Sequence, residues 1–194
     1  MKNTLNTLEQ YLALERQGQE KHEYFQGYVF LMAGGSPNHS LIATNLSWLL
    51  GNALTQRPCR VYGNDLQVFI KNKELVTYPD VSVVCGPLEY AEEDRNLVTN
   101  PLVIVEVLSP STANYDQITK FNLYKGLDSC EDYVLVDSRR MNVIYFHKLA
   151  LNQWVQQIYT QPQEVLSIQS LNIELTLAQI YVKVEFDPEP IPLR

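Results

Sequence analysis

Apolar residues recur at helical spacing across residues 38–55, where Ile42, Leu46, Leu49, Leu50, Ala53 and Leu54 form one stripe. This is the strongest helix signal in the chain. An earlier, shorter helix is predicted from the capping-box pattern Thr7-Leu8-Glu9-Gln10, continued by Tyr11, Leu12 and Glu15. Residues 22–26 and 28–32 form a strand pair around Gly27, and Gly34-Gly35-Ser36-Pro37 breaks the chain before the long helix. After Pro58 the pattern turns to strands at 60–62, 66–70 and 81–84, followed by a polar, acidic stretch over 86–100 that reads as a loop or short helix. Residues 102–108 are almost continuously apolar and β-branched, the pattern of a strand buried on both faces. Helical spacing returns over 115–125, and alternating segments at 133–136, 143–147 and 154–159 predict antiparallel strands. A last helical turn is expected at 177–181, then an extended Pro-rich tail. With no repeat or linker in view, the pattern predicts one α/β domain of the α+β kind over 1–194. Its central mixed sheet should hold 80–84 and 102–108 and be extended by 133–136 and 143–147. The long helix should pack on one side and the 115–125 helix nearby.

Two acids interrupt this apolar pattern. Asp80 stands in Thr77-Tyr78-Pro79-Asp80-Val81-Ser82-Val83-Val84, and Glu106 in Leu102-Val103-Ile104-Val105-Glu106-Val107-Leu108. An unpaired charge in such a run costs several kcal/mol, so it is normally paired or bound to a metal. Carboxylates on adjacent strands could share one hard divalent cation such as Mg²⁺, which takes oxygen ligands and keeps several waters. On a helix over 115–125, Asp116, Lys120 and Tyr124 share one face, which could aim the Lys120 ammonium at a phosphoryl group. The structural alternative has Asp80 capping a turn and Glu106 paired internally with Lys120. His39 lies near a helix start, as a cap, a packed ring or a phosphate contact. His22 and His147 read as strand residues without chemistry. Ser109, Ser111 and Thr112 read as caps of the following helix, because no His-Asp pair accompanies them.

Composition narrows the class. At 45% hydrophobic and 19% charged, the 194-residue chain is an ordinary globule with enough length for one sizeable core. A net charge of -7 gives no overall attraction to nucleic acid, so any such activity needs a local basic group or a metal. Cys59, Cys85 and Cys130 are odd in number and form no CxxC pair, which argues against a zinc site or disulfide framework and fits a reducing, cytoplasmic setting. The start of the chain lacks the apolar core of a signal peptide, and no stretch approaches the ~20 apolar residues of a membrane span. The 12 tyrosines and the alternating C-terminal strands suggest a homodimer, with Val143, Tyr145, Trp154 and Tyr159 facing a second copy.

Several segments together resemble the PD-(D/E)xK nuclease superfamily and, more closely, the Uma2 family of endonucleases. They are His22-Glu23-Tyr24-Phe25-Gln26-Gly27-Tyr28, Pro37-Asn38-His39-Ser40, Tyr78-Pro79-Asp80-Val81, the run from Pro101 to Thr112, then Asp116, Lys120 and Tyr124, and Glu131-Asp132-Tyr133-Val134-Leu135-Val136-Asp137. The resemblance implies a restriction-endonuclease-like core in which Asp80, Glu106 and Val107 hold Mg²⁺ or Mn²⁺. Glu23, Asp80, Glu106 and Lys120 would then carry the hydrolysis of phosphodiester bonds in nucleic acid, with DNA the expected substrate. One position departs from the superfamily pattern: the lysine two residues after Glu106 is Leu108, and Lys120 would take its role. A catalytically idle module that binds a protein or nucleic-acid partner is the alternative, with a hydrolase of small phosphoesters a weaker third.

Overall fold

The computed structural model describes residues 5–18, 20–109, 119–151 and 153–187. In chain order it contains α1 (Leu8–Gln17), β1 (His22–Phe25), β2 (Tyr28–Leu31), α2 (Pro37–Leu54), β3 (Cys59–Gly63), β4 (Gln67–Ile70), β5 (Leu75–Thr77), β6 (Val81–Cys85), β7 (Leu97–Val98) and β8 (Val103–Leu108). There follow α3 (Phe121–Tyr124), β9 (Asp132–Asp137), β10 (Val143–Ala150), β11 (Gln153–Tyr159), β12 (Val165–Ile168), β13 (Ile173–Thr176) and α4 (Leu177–Ile180). The capping box at Thr7 forms as the sequence predicts, and Ser36 caps α2 with Pro37 in its first turn.

A six-stranded mixed sheet in the order β11-β10-β9-β8-β6-β3 occupies the centre, with only β8 and β9 parallel. It is the sheet expected from the apolar runs, and β8 is buried along its whole length. One face carries Val81, Val83, Val103, Val105, Val134 and Val136, against which α2 places Ile42, Leu46, Leu50 and Leu54. The helical stripe of α2 therefore closes one half of the core, together with β12, β13 and α4. The other face carries Ile104, Leu108, Tyr133, Leu135 and Ile144 and packs on α3 and on Val68, Ile70 and Leu75 of a second sheet. That second sheet, in the order β2-β1-β5-β4-β7, puts Tyr24, Phe69 and Val76 under Tyr11 and Leu12 of α1.

Two expectations need correction. Cys59 and Cys85 are opposed cross-strand partners of β3 and β6 and are joined by a disulfide. An odd cysteine count does not exclude one pair, and antiparallel register closes the gap of 26 residues that separates them in sequence. Cys130 is a buried free thiol, and burial pushes its pKa up to about 12. Val143 and Tyr145 lie in the core, so they offer nothing to a second copy, whereas Trp154 and Tyr159 stay partly exposed. The helix predicted over 115–125 appears as a π-helical turn at 119–120 running into α3, and Pro110, Ser111, Thr112 and Asp116 lie outside the described residues. Among the described residues no helix is long and apolar enough to cross a membrane.

Candidate active site

The segment Tyr78-Pro79-Asp80 links the two sheets. Thr77 ends β5 in the five-stranded sheet, and Val81 opens β6 in the six-stranded one. Val81 pairs with Val105 and Ser82 with Ile104, so the same antiparallel register sets Asp80 opposite Glu106. Directly opposed residues project from one face, here the face shared with Ile104 and Leu108 rather than the valine face under α2. Asp80 Oδ2 accepts a hydrogen bond from the Val107 backbone N–H at 2.7 Å and lies 3.2 Å from His39 Nε2, in the first turn of α2.

Glu106 is only 4% exposed. Its Oε1 accepts from Lys120 Nζ at 3.0 Å and from the Tyr124 hydroxyl at 2.6 Å. Lys120 and Tyr124 are one helical turn apart, which brings both donors to one oxygen. Glu23, on β1, opposes Thr77 when the Tyr24–Val76 register is continued. Its Oε2 accepts from Thr77 Oγ1 at 2.7 Å and stands 3.8 Å from Lys120 Nζ. The buried Lys120 ammonium thus faces a carboxylate from each sheet.

Electrostatics explains why these ions coexist. Acids set directly opposite on a sheet repel, and burial penalises each charge further. Lys120 offsets that penalty for Glu106 and Glu23, and the Val107 amide does so for Asp80. Burial, then the neighbouring Glu106 charge, hold the Tyr124 hydroxyl well above the ordinary tyrosine range. It therefore remains a protonated donor throughout the neutral range.

The donor set can be tested against a hard cation. In an extended strand a residue's N–H and C=O point to the same edge. Val107 directs its N–H at Asp80, past the start of β6, so its carbonyl faces that edge too. Two carboxylates and one carbonyl are oxygen donors of the kind Mg²⁺ and Mn²⁺ accept, with water completing the shell. Among the described residues there is no group of three or more His, Cys, Asp or Glu side chains that could hold a metal by side chains alone. The fit is thus to a two-carboxylate site, with Glu23 directed to Lys120 and Thr77.

Glu23, Asp80, Glu106 and Lys120, singled out in the sequence, therefore lie in one region, together with His39 and Tyr124. Thr77 was not foreseen; it reads as an ordinary strand residue until its cross-strand partner is known. Leu108, where the superfamily pattern has lysine, is 3% exposed and packed among Ile104, Leu123 and Tyr133. His147, read as a strand residue, lies in β10 with its Nδ1 2.8 Å from the buried Asp132 carboxylate.

The architecture is a mixed α+β fold shared with a solved structure. A crystal structure of a protein from Anabaena variabilis, described as a "putative nuclease belonging to DUF820", superposes with a TM-score of 0.73 over 90% of this chain and 97% of that one, at 18% identity. The chain belongs to the Uma2 family, described as "Putative restriction endonuclease", whose model matches residues 8–179. Two relatives come from Synechocystis. The uncharacterized protein slr1290 is 38% identical, covering 92% of each chain. The uncharacterized protein sll1609 is 34% identical over 77% of this chain and 84% of its own.

Proposed function

We propose that this protein is a metal-dependent endonuclease that hydrolyses phosphodiester bonds in nucleic acid, with DNA as substrate. The observation that carries this reading is the opposition of Asp80 and Glu106 at one strand end, with the Lys120 ammonium 3.0 Å from Glu106. Asp80, Glu106 and the Val107 carbonyl would hold Mg²⁺ or Mn²⁺. When bound, such an ion supplies a water of lowered pKa and charge against a phosphoryl oxygen. Lys120 offsets the negative charge that grows on the phosphate as the bond breaks, the role its missing counterpart at Leu108 would have had. Glu23 and Thr77 position Lys120, Tyr124 fixes the Glu106 carboxylate, and His39 orients Asp80. The single-domain organisation and the homodimer are parts of the same proposal, whereas the reducing, cytoplasmic setting loses its ground with the Cys59–Cys85 disulfide. Light scattering that gives only a 22.3 kDa particle at micromolar protein would remove the dimer.

The test is cleavage of plasmid and labelled oligonucleotides with Mg²⁺ or Mn²⁺ by wild type, Asp80→Asn and Glu106→Gln. Each variant should lose activity by at least about two orders of magnitude while still folding cooperatively. Cleavage equal to wild type in either variant would sink the assignment. One observation favours the idle module: the lysine position of the parent motif is a sealed apolar site. Nucleic-acid binding with no cleavage under any divalent ion would establish that alternative.

A further inference from the structure

In the β1–β2 hairpin Glu23 is the direct cross-strand partner of Phe30, and Phe25 that of Tyr28. Opposed residues project from one face of an antiparallel pair. The Phe30 and Tyr28 rings therefore stand on the same face as the Glu23 carboxylate, one strand further out. The hairpin closes through Gln26 and Gly27, both at positive φ (47° and 86°), a tight two-residue turn that fixes this register. A Cβ at Gly27 would meet the Leu5 side chain at 2.9 Å, so the turn itself is held by the segment before α1.

The two faces of the hairpin are used differently. Tyr24 and Val29 turn to the cluster beneath α1. On the other face, at the edge of the sheet, Tyr28 is 46% and Phe30 50% exposed. Their ring centroids are 6.3 Å apart with planes 30° from parallel, so the pair offers two neighbouring aromatic surfaces beside the candidate site. Such surfaces add little to the fold while they remain in water. The chain's net charge of -7 also means that a polyanion gains nothing from the protein's overall field. Contacts indifferent to that charge would add affinity beside whatever a local cation or a metal supplies. Stacking of bases on aromatic rings is such a contact, and it tolerates any sequence.

We propose that Tyr28 and Phe30 form a stacking platform for unpaired bases of a nucleic acid whose backbone leads into the Asp80–Glu106 site. The inference rests on the nuclease reading above and sharpens it: the substrate is single-stranded, or locally unpaired, where it meets β2. Intact duplex hides its base faces and gains nothing from the rings.

The experiment measures binding of a fluorescein-labelled, mixed-sequence single-stranded oligodeoxynucleotide and its duplex by anisotropy, with divalent ions chelated so that nothing is cut. The double variant Tyr28→Ala/Phe30→Ala should weaken single-strand binding by at least about fivefold and leave duplex binding unchanged. Phe30→Trp should bind at least as tightly as wild type, whereas Phe30→Leu should not. Unchanged single-strand binding in the double variant, full binding by Phe30→Leu, or no binding by wild type would each overturn the platform. As a check that needs no variant, a 5-bromouracil oligonucleotide irradiated with wild type should form adducts at Tyr28 or Phe30; adducts only elsewhere also overturn it. A dimer abolished by the double variant while oligonucleotide binding persists would assign the β2 edge to a second copy instead. Failure of the nuclease reading is separable: wild type that cuts nothing but loses binding on ring removal keeps the platform and loses the enzyme.

Discussion

At the scale of single residues, Lys120 carries the most weight. It is 6% exposed and neutralises acids from two sheets, so Lys120→Ala leaves Glu106 and Glu23 buried without their cation. Breaking a buried pair from one side costs about 3–5 kcal/mol, and thermal melts followed by circular dichroism should show a loss of that size. An unchanged melting temperature would mean that the ammonium is not held between the acids. Tyr124→Phe removes one charge-assisted bond to the same Glu106 oxygen and should cost less, about 1.5–3 kcal/mol. Gly35 gives a subtler probe. A Cβ there would sit 2.5 Å from His39 Nδ1, so Gly35→Ala must displace the ring from Asp80, and cleavage should fall more than stability. Steady-state rates beside melts check this, and a variant that cuts like wild type would free His39 from any part in orienting Asp80. Asp80, Glu106 and Lys120 were legible in the sequence because charge inside or beside apolar runs is conspicuous. Thr77 was not: a hydroxyl in a strand has many uses, and its partner arrives from a segment more than fifty residues earlier.

Among elements, those with long periodic patterns were legible and those with short ones were hidden. α2 spans 18 residues and β8 is buried throughout, so both announced themselves by spacing or by unbroken apolarity. β5 has three residues and β7 two, too few for any period to appear, and with them the five-stranded sheet went unseen. The hairpin of β12 and β13 escaped for a related reason. Its strands are joined by a 3₁₀ turn at Gln169–Leu171 that ends on Asn172 with φ 48°, and only backbone hydrogen bonding reveals it. That turn is fastened to the main sheet by the buried Asp132 at the start of β9. Asp132 accepts from the Tyr145 hydroxyl at 2.5 Å, from the Ser170 N–H at 3.0 Å and from the Ser170 hydroxyl, with His147 Nδ1 at 2.8 Å. Asp132→Ala would strand these donors in the interior and should cost about 3 kcal/mol or more, read as a lower urea midpoint. A midpoint within error of wild type would show that β9, β10 and the turn dock through apolar contacts alone.

Across the whole molecule, tyrosine is used inside as much as outside, so aromatic content by itself does not mark a surface for a second copy. Tyr11, Tyr24, Tyr133 and Tyr145 are all buried, where each hydroxyl must either find a partner or lose its hydration. Burial is the main force raising the pKa values of Tyr11, Tyr78, Tyr124, Tyr145 and Tyr181 above the ordinary 10.0, with nearby Glu15, Glu106, Asp132 and Asp137 adding to the shift. The sign of the consequence follows from linkage. A group that binds its proton more tightly when folded gives stability that is complete below its unfolded value and is lost as pH rises towards its folded one. Between those limits each such tyrosine removes about 1.4 kcal/mol per pH unit, and several act together. The same ionisations add to a net charge already at -7, so self-repulsion works in the same direction. Stability should therefore hold steady from about pH 8 to about pH 10 and fall steeply beyond, with tyrosinate absorbance appearing together with unfolding. Urea midpoints measured across that range, with absorbance followed at each pH, test this directly. Tyrosinate of these buried rings forming near pH 10 without loss of the midpoint would show that they are hydrated, and the layered packing around Tyr11, Tyr124 and Tyr145 would have to be redrawn.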